Sequence, residues 1–259
     1  MELITSSKNE KVGWLKSLRK SATRKELGLF AVEGGKEIGY ALESGYRPHS
    51  LLTRADRYDQ DLANQFSEVA KTKLSESLFS KLVYREDEPS GLIAVFHAKD
   101  STLNSLSLSD NPFLLVVEGV EKPGNLGAII RTADGAGVDA IIVAGDTVDI
   151  YNPNVIRASV GCVFTKQVVA AQNQSIKTFL DKNNIQVFGA ELTPKAKPYT
   201  GVDFTKPLAL VLGPESSGLS DFWLQNSQPI IIPMKGRNSS LNLSAATAVL
   251  AYEVIRQRL

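Results

Sequence analysis

The hydrophobic pattern of the chain changes character near residue 110. Beyond it, near-continuous apolar runs recur at 113–118, 140–144, 186–190, 208–212 and 230–232. Runs this short and unbroken predict strands buried on both faces, as in a parallel sheet. Residues 125–137, 152–160, 175–183 and 221–227 carry helical spacing between them, so strands and helices alternate. A closing helix follows Leu241-Asn242-Leu243-Ser244 and reaches Gln257. Before residue 99 the elements are smaller. A helix is expected over 8–19, with Val12, Leu15 and Leu18 on one face, then strands at 29–32, 51–53 and 91–97 and a helix at 36–42. The stretch 99–111, KDSTLNSLSLSDN, has no such pattern and runs into Pro112, which disfavours helix at Asn111. The expected organisation is a small α/β domain over 1–98, a linker over 99–111, and an α/β domain with a mostly parallel sheet over 112–259.

Composition narrows the class. In 259 residues, 43% hydrophobic and 22% charged content is that of an ordinary folded protein. A net charge of +1 gives no global sign of a polyanionic partner, so any such sign has to be local. It is local at the N-terminus, where Lys8, Lys11, Lys16, Arg19, Lys20, Arg24 and Lys25 are opposed only by Glu2, Glu10 and Glu26. One cysteine forms no internal disulfide, and with two histidines it makes a zinc site improbable. No apolar leader and no bilayer-length segment are present, so a soluble, cytoplasmic protein without a membrane role is expected.

Three segments share one construction: a strand, a Gly- or Ser-rich loop, and a helix start. They are 118–127 (EGVEKPGNLG, with Arg131 on the following helix), 212–220 (LGPESSGLS), and the loop after 230–232 that carries Lys235, Arg237, Ser240 and Asn242. Open α/β folds gather ligands at such places, because free backbone N–H groups converge there. None has the GxGxxG, P-loop or GxSxG pattern, which argues against phosphate cradling or a hydrolase nucleophile. Taken singly, each is also an ordinary capped turn.

Taken in order, they carry a resemblance. PGNLGAIIRTADGAG (123–137), LVLGPESSGLS (210–220) and IIIPMKGRNSSLNLSAA (230–246) resemble the three signature motifs of the SpoU family of RNA ribose 2′-O-methyltransferases, of the SPOUT class. The RASVG segment (157–161) looks like a further family stretch. The N-terminal RKELGLFAVEG (24–34) is similar, more weakly, to the family's substrate-binding domain, a ribosomal L30e-like α/β unit.

The resemblance implies a C-terminal trefoil knot, S-adenosylmethionine as cofactor, and no metal. It implies catalytic roles for Asn125, Arg131, Glu215, Ser240 and Asn242, with Asn125 orienting Arg131. Thr193, Gly213, Ile232 and Leu241 would hold the cofactor. RNA would be met by the N-terminal cations and by Lys235 and Arg237 in the third loop. The expected activity is 2′-O-ribose methylation of ribosomal RNA, 23S-type, by a homodimer. The alternatives are a tRNA 2′-O-methyltransferase, or a non-catalytic RNA-binding protein of the same fold.

Overall fold

Val12, Leu15 and Leu18, spaced for one helical face, are all buried in one apolar cluster with Leu52, Leu74, Ile93 and Val95. That stripe seats the first helix on a sheet. In the computed structural model, which describes residues 3–84, 89–145 and 149–259, contacts divide the chain into Met1–Asp100 with Tyr151–Thr165, and Ser101–Ile150 with Lys166–Leu259. Glu2 lies outside the described residues.

The first unit runs β1 (Leu3–Ile4), α1 (Glu10–Ser17), α2 (Ser21–Leu27), β2 (Leu29–Glu33), α3 (Gly35–Glu43), β3 (Pro48–Arg54), α4 (Gln60–Asn64), β4 (Ala70–Leu74), α5 (Glu76–Ser80) and β5 (Leu92–His97). Its five strands lie in the order β1-β4-β3-β5-β2, with β5 antiparallel to both β2 and β3. β4 was not foreseen: its sequence AKTKL has one fully buried residue, Leu74, and so lacks an apolar run.

The second unit begins with β6 (Phe113–Glu118), α6 (Pro123–Gly135) and β7 (Ala140–Ala144). The chain then makes α7 (Pro153–Ala158) and α8 (Cys162–Thr165), which belong to the first unit by contact. The sequence-based boundary put these residues in the 112–259 domain. Their aromatic side chains account for the difference: Tyr151 stacks on Phe30 at 4.2 Å between ring centres, and Phe164 meets Phe30 at 5.7 Å and Tyr46 at 5.2 Å. Close aromatic contacts of this kind bury large apolar surfaces.

The second unit resumes with β8 (Gln167–Ala171), α9 (Asn173–Lys182), β9 (Gln186–Ala190), β10 (Lys197–Pro198), β11 (Leu208–Leu212), α10 (Asp221–Asn226), β12 (Gln228–Ile231) and α11 (Leu243–Arg258). All seven strands are parallel, in the order β10-β12-β9-β11-β6-β7-β8. The central strands β6, β7 and β11 are buried almost throughout, as expected of a sheet covered on both faces. β12 departs from expectation. It covers 228–231 rather than 230–232, and only Ile230 is fully buried, because its outer neighbour is the two-residue β10. α11 packs chiefly against α6, with Leu243, Thr247, Leu250, Ala251 and Val254 buried, while Tyr252 stays 54% exposed. Among the described residues, no helix is long and apolar enough to cross a membrane.

Candidate active site

Because β6, β11, β9 and β12 are parallel neighbours, their C-terminal ends share one edge of the sheet. The first and second loops leave adjacent strands there, and two glycines let them close up. Gly119 has φ 59° and lies against Pro214, where a Cβ would come within 3.2 Å of the proline ring. Gly213 is stricter: a Cβ there would sit 2.5 Å from the Gly218 carbonyl oxygen, so the 213–218 loop folds back on its own start.

One carboxylate oxygen ties the three loops together. Glu215 Oε1 accepts from Asn125 Nδ2 at 3.2 Å, from Asn242 Nδ2 at 2.7 Å and from the Leu243 backbone N–H at 2.8 Å. Asn242 Nδ2 also reaches Asn125 Oδ1 at 3.3 Å. Asn242 is the N-cap of α11, its Oδ1 accepting from Ser244 N at 3.0 Å and Ser244 Oγ at 2.6 Å. A carboxylate at this position also faces the positive end of the α11 dipole. Beside this junction lies a cavity of about 100 Å³, bounded by Gly119, Lys122, Asn125, Pro214, Glu215 and Leu243. α6 starts at Pro123 with Lys122 as N-cap, so Asn125 sits in its first turn, and its amide donates to Glu215.

A second junction, not foreseen, holds the far end of the same loop. Glu118, the last residue of β6, accepts from Ser220 N at 2.8 Å, Ser220 Oγ at 2.7 Å and Asn173 Nδ2 at 2.9 Å. Trp223 Nε1 in turn donates to Asn173 Oδ1 at 3.0 Å. Nothing local in the sequence distinguishes Glu118 from other strand-end carboxylates. Ser220 is the N-cap residue of α10, but its hydroxyl donates to Glu118 and makes no cap bond to the helix.

The other expected site residues are placed as follows. Arg131 is exposed on α6. Asn125, expected to orient it, shares no hydrogen bond with it among the described residues. Six residues of helix rotate Arg131 about a third of a turn away from Asn125, outside the i+3/i+4 neighbourhood. Ser240 is exposed and makes no hydrogen bond with Asn125, Glu215 or Asn242 among the described residues. Gly213, Ile232 and Leu241 are half-buried, Gly213 just past β11 and Ile232 just past β12. Thr193 follows β9, the strand lying between those two, and its Oγ1 accepts from Lys195 N at 3.3 Å. Near it, burial pushes the Glu191 carboxyl above the usual range. Lys235 and Arg237 are exposed in the third loop.

Of the N-terminal cations, Lys8, Lys11, Lys16, Arg19, Lys20 and Lys25 are exposed. Arg24 has to be withdrawn from the set facing RNA. It is only 4% exposed, and its Nη1 donates to the Leu18 carbonyl at 2.7 Å, bracing the α1–α2 turn. Buried guanidinium groups are kept by such bonds, not by distant phosphates. Among the described residues, no group of three or more His, Cys, Asp or Glu is suited to hold a metal ion.

Residues 112–252 match the model of the SpoU rRNA Methylase family, and residues 9–94 match that of the MRM3-like substrate binding domain. The chain is 31% identical over 256 residues to the Bacillus subtilis (strain 168) 23S rRNA (guanosine(2553)-2′-O)-methyltransferase RlmP, covering 98% of this chain and 99% of that protein. Its fold matches a solved RNA 2′-O ribose methyltransferase with a TM-score of 0.84 and 36% identity, over 99% of both chains. The AdoMet-bound rRNA methyltransferase from Sinorhizobium meliloti matches with a TM-score of 0.91 and 28% identity, over 100% of this chain and 98% of that one. With the three motifs joined at one carboxylate and both family models matched in order, this chain belongs to the SpoU rRNA methylase family.

Proposed function

We propose that this protein transfers a methyl group from S-adenosylmethionine to a ribose 2′-hydroxyl of ribosomal RNA, of the 23S class on which its relatives act. The observation that carries this reading is the junction of all three motif loops at Glu215. The cofactor fits the residues at this edge. Gly213 offers backbone without a side chain, and half-buried Ile232 and Leu241 offer apolar walls for an adenine. Thr193 borders the same strand ends. When bound, S-adenosylmethionine supplies a methyl group already activated on a sulfonium, so no metal is needed.

The protein's own task is the acceptor. A ribose hydroxyl is a weak acid, and its developing alkoxide needs stabilisation. A guanidinium offers only hydrogen-bond donors, so Arg131 binds the alkoxide and a neighbouring phosphate instead of acting as the base. Asn125, Glu215 and Asn242 fix the loops that surround the reaction, and Ser240 borders them. Lys235 and Arg237 contact RNA near the target, and the basic surface around α1 holds RNA more remotely. The enzyme works in the cytoplasm as a homodimer, a reading supported by the exposed Tyr252 on α11. The threaded C-terminal knot is part of the same reading.

The decisive experiment incubates the protein with methyl-labelled S-adenosylmethionine and either ribosomal RNA or tRNA, then maps 2′-O-methyl positions. Label is expected in ribosomal RNA, and none on a substrate carrying 2′-deoxyribose at the target. Label in tRNA alone would replace the substrate, and no label with intact cofactor binding would favour the non-catalytic reading.

The basic surface has its own test. Lys16→Glu combined with Lys20→Glu should weaken RNA binding and flatten its salt dependence. Arg24→Gln should lower thermal stability, costing about 1–3 kcal/mol for a lost buried charged hydrogen bond, while RNA affinity stays in place. Fluorescence anisotropy across a salt series and a melting curve check both.

A further inference from the structure

Arg157 of the RASVG motif closes a cleft within the first unit. Leu15, Leu18, Val32, Leu82, Ile93 and Ile156 form the apolar floor. Above it stand Arg19, Arg157, Glu33 and the ring of Tyr84, which is 42% exposed, with Glu37 lining the cleft from a buried position. The two guanidinium carbons lie 4.9 Å (Arg19) and 5.6 Å (Arg157) from the Tyr84 ring centre, within cation–π range. Each of these groups is anchored by another bond. Arg19 Nη2 donates to the Leu82 carbonyl at 2.7 Å, Arg157 Nη2 to Asn154 Oδ1 at 3.1 Å, and the Tyr84 backbone N–H to Glu33 Oε2 at 2.7 Å. The rim is therefore pre-positioned, and a ligand would not have to order it.

The chemistry of the lining selects the occupant. Two guanidiniums and two carboxylates leave it neutral overall, with donors and acceptors mixed over an apolar floor. A phosphate would meet the carboxylates, and a hydrocarbon would desolvate the guanidiniums without pairing them. A nucleobase has a π face for the arginines and an edge that both donates and accepts. The cavity volume of about 50 Å³ corresponds to roughly four waters, about the room one heterocyclic ring takes. Lys16 and Lys20, exposed on either side of Leu18 and Arg19 in the chain, suit the phosphates that accompany such a base.

We propose that this cleft binds one unpaired base of the RNA substrate, stacked on the guanidinium groups of Arg19 and Arg157 that the Tyr84 ring holds in place. The proposal rests on RNA being the substrate. It is tested on the full-length protein with a short fluorescent single-stranded RNA of mixed sequence and a blunt RNA duplex of the same length. Tyr84→Ala should weaken single-strand binding on the order of tenfold, with its salt slope unchanged, and Tyr84→Phe should restore it. Arg157→Gln should weaken it too. Duplex affinity should not move, because paired bases stay inside the stack. Wild-type single-strand affinity in Tyr84→Ala, or an equal loss on both probes, would overturn the base site while leaving the methyltransferase reading intact. A wild-type protein that binds neither probe would also overturn the base site, whereas the methyltransferase reading falls only if ribosomal RNA takes up no methyl label.

Discussion

Replacing Arg131 by alanine should lower turnover by roughly a hundredfold or more, the scale of losing one preorganised donor to a developing oxyanion. Cofactor affinity should stay nearly unchanged. Arg131 is exposed on α6, apart from the loops that carry Gly213, Ile232 and Leu241, so its loss disturbs no group assigned to the cofactor. Arg131→Lys should rescue little, since an ammonium is a point charge and cannot span an alkoxide and a phosphate oxygen with one planar fork. Single-turnover rates and a cofactor titration on the same preparations make the comparison. Near-wild-type turnover in Arg131→Ala would remove this residue from the mechanism.

Glu215→Ala should be at least as damaging, but through a different quantity. The substitution deletes the acceptor shared by Asn125, Asn242 and the Leu243 N–H, so the first and third loops lose their common anchor and the start of α11 loses a partner for a part-buried backbone donor. Cofactor affinity should fall by roughly tenfold and kcat/KM by roughly a hundredfold or more, since each charged hydrogen bond contributes about 1.5–3 kcal/mol. Glu215→Gln keeps an oxygen able to occupy the Oε1 position and should retain most of both. That contrast separates positioning from proton transfer. A general base would be abolished as fully by glutamine as by alanine, and the pH profile of the glutamine variant would lose its acidic limb.

The parallel sheet was legible along the chain because strands buried on both faces need apolar side chains at every position, as β6, β7 and β11 have. Of the strands that escaped notice, β1 and β10 have two residues each, and β4 and β8 carry polar or exposed residues that interrupt the apolar run. The three motif loops were legible for a related reason. Backbone that must turn sharply, approach closely and cap a helix needs glycine, serine and asparagine at fixed positions, as at Gly119, Gly213 and Asn242.

Which partner each of those side chains takes is another matter. Asn125, expected to orient Arg131, bonds Glu215 and Asn242, residues 90 and 117 positions away. Arg24 reads as one more exposed cation in a basic run, and only the turn between α1 and α2 buries it against the Leu18 carbonyl. Local pattern records what a residue's own backbone requires of it: burial on one face or two, a tight turn, a helix start. It therefore determined the alternating architecture, the loops that carry chemistry, and through their order the family. The Glu215 and Glu118 junctions, the attachment of Tyr151–Thr165 to the first unit and the Tyr84 cleft each depend on contacts between segments distant in the chain. Those were decided by tertiary structure, because a hydrogen bond or a stacked ring specifies a geometry in space and leaves no fixed spacing in the sequence.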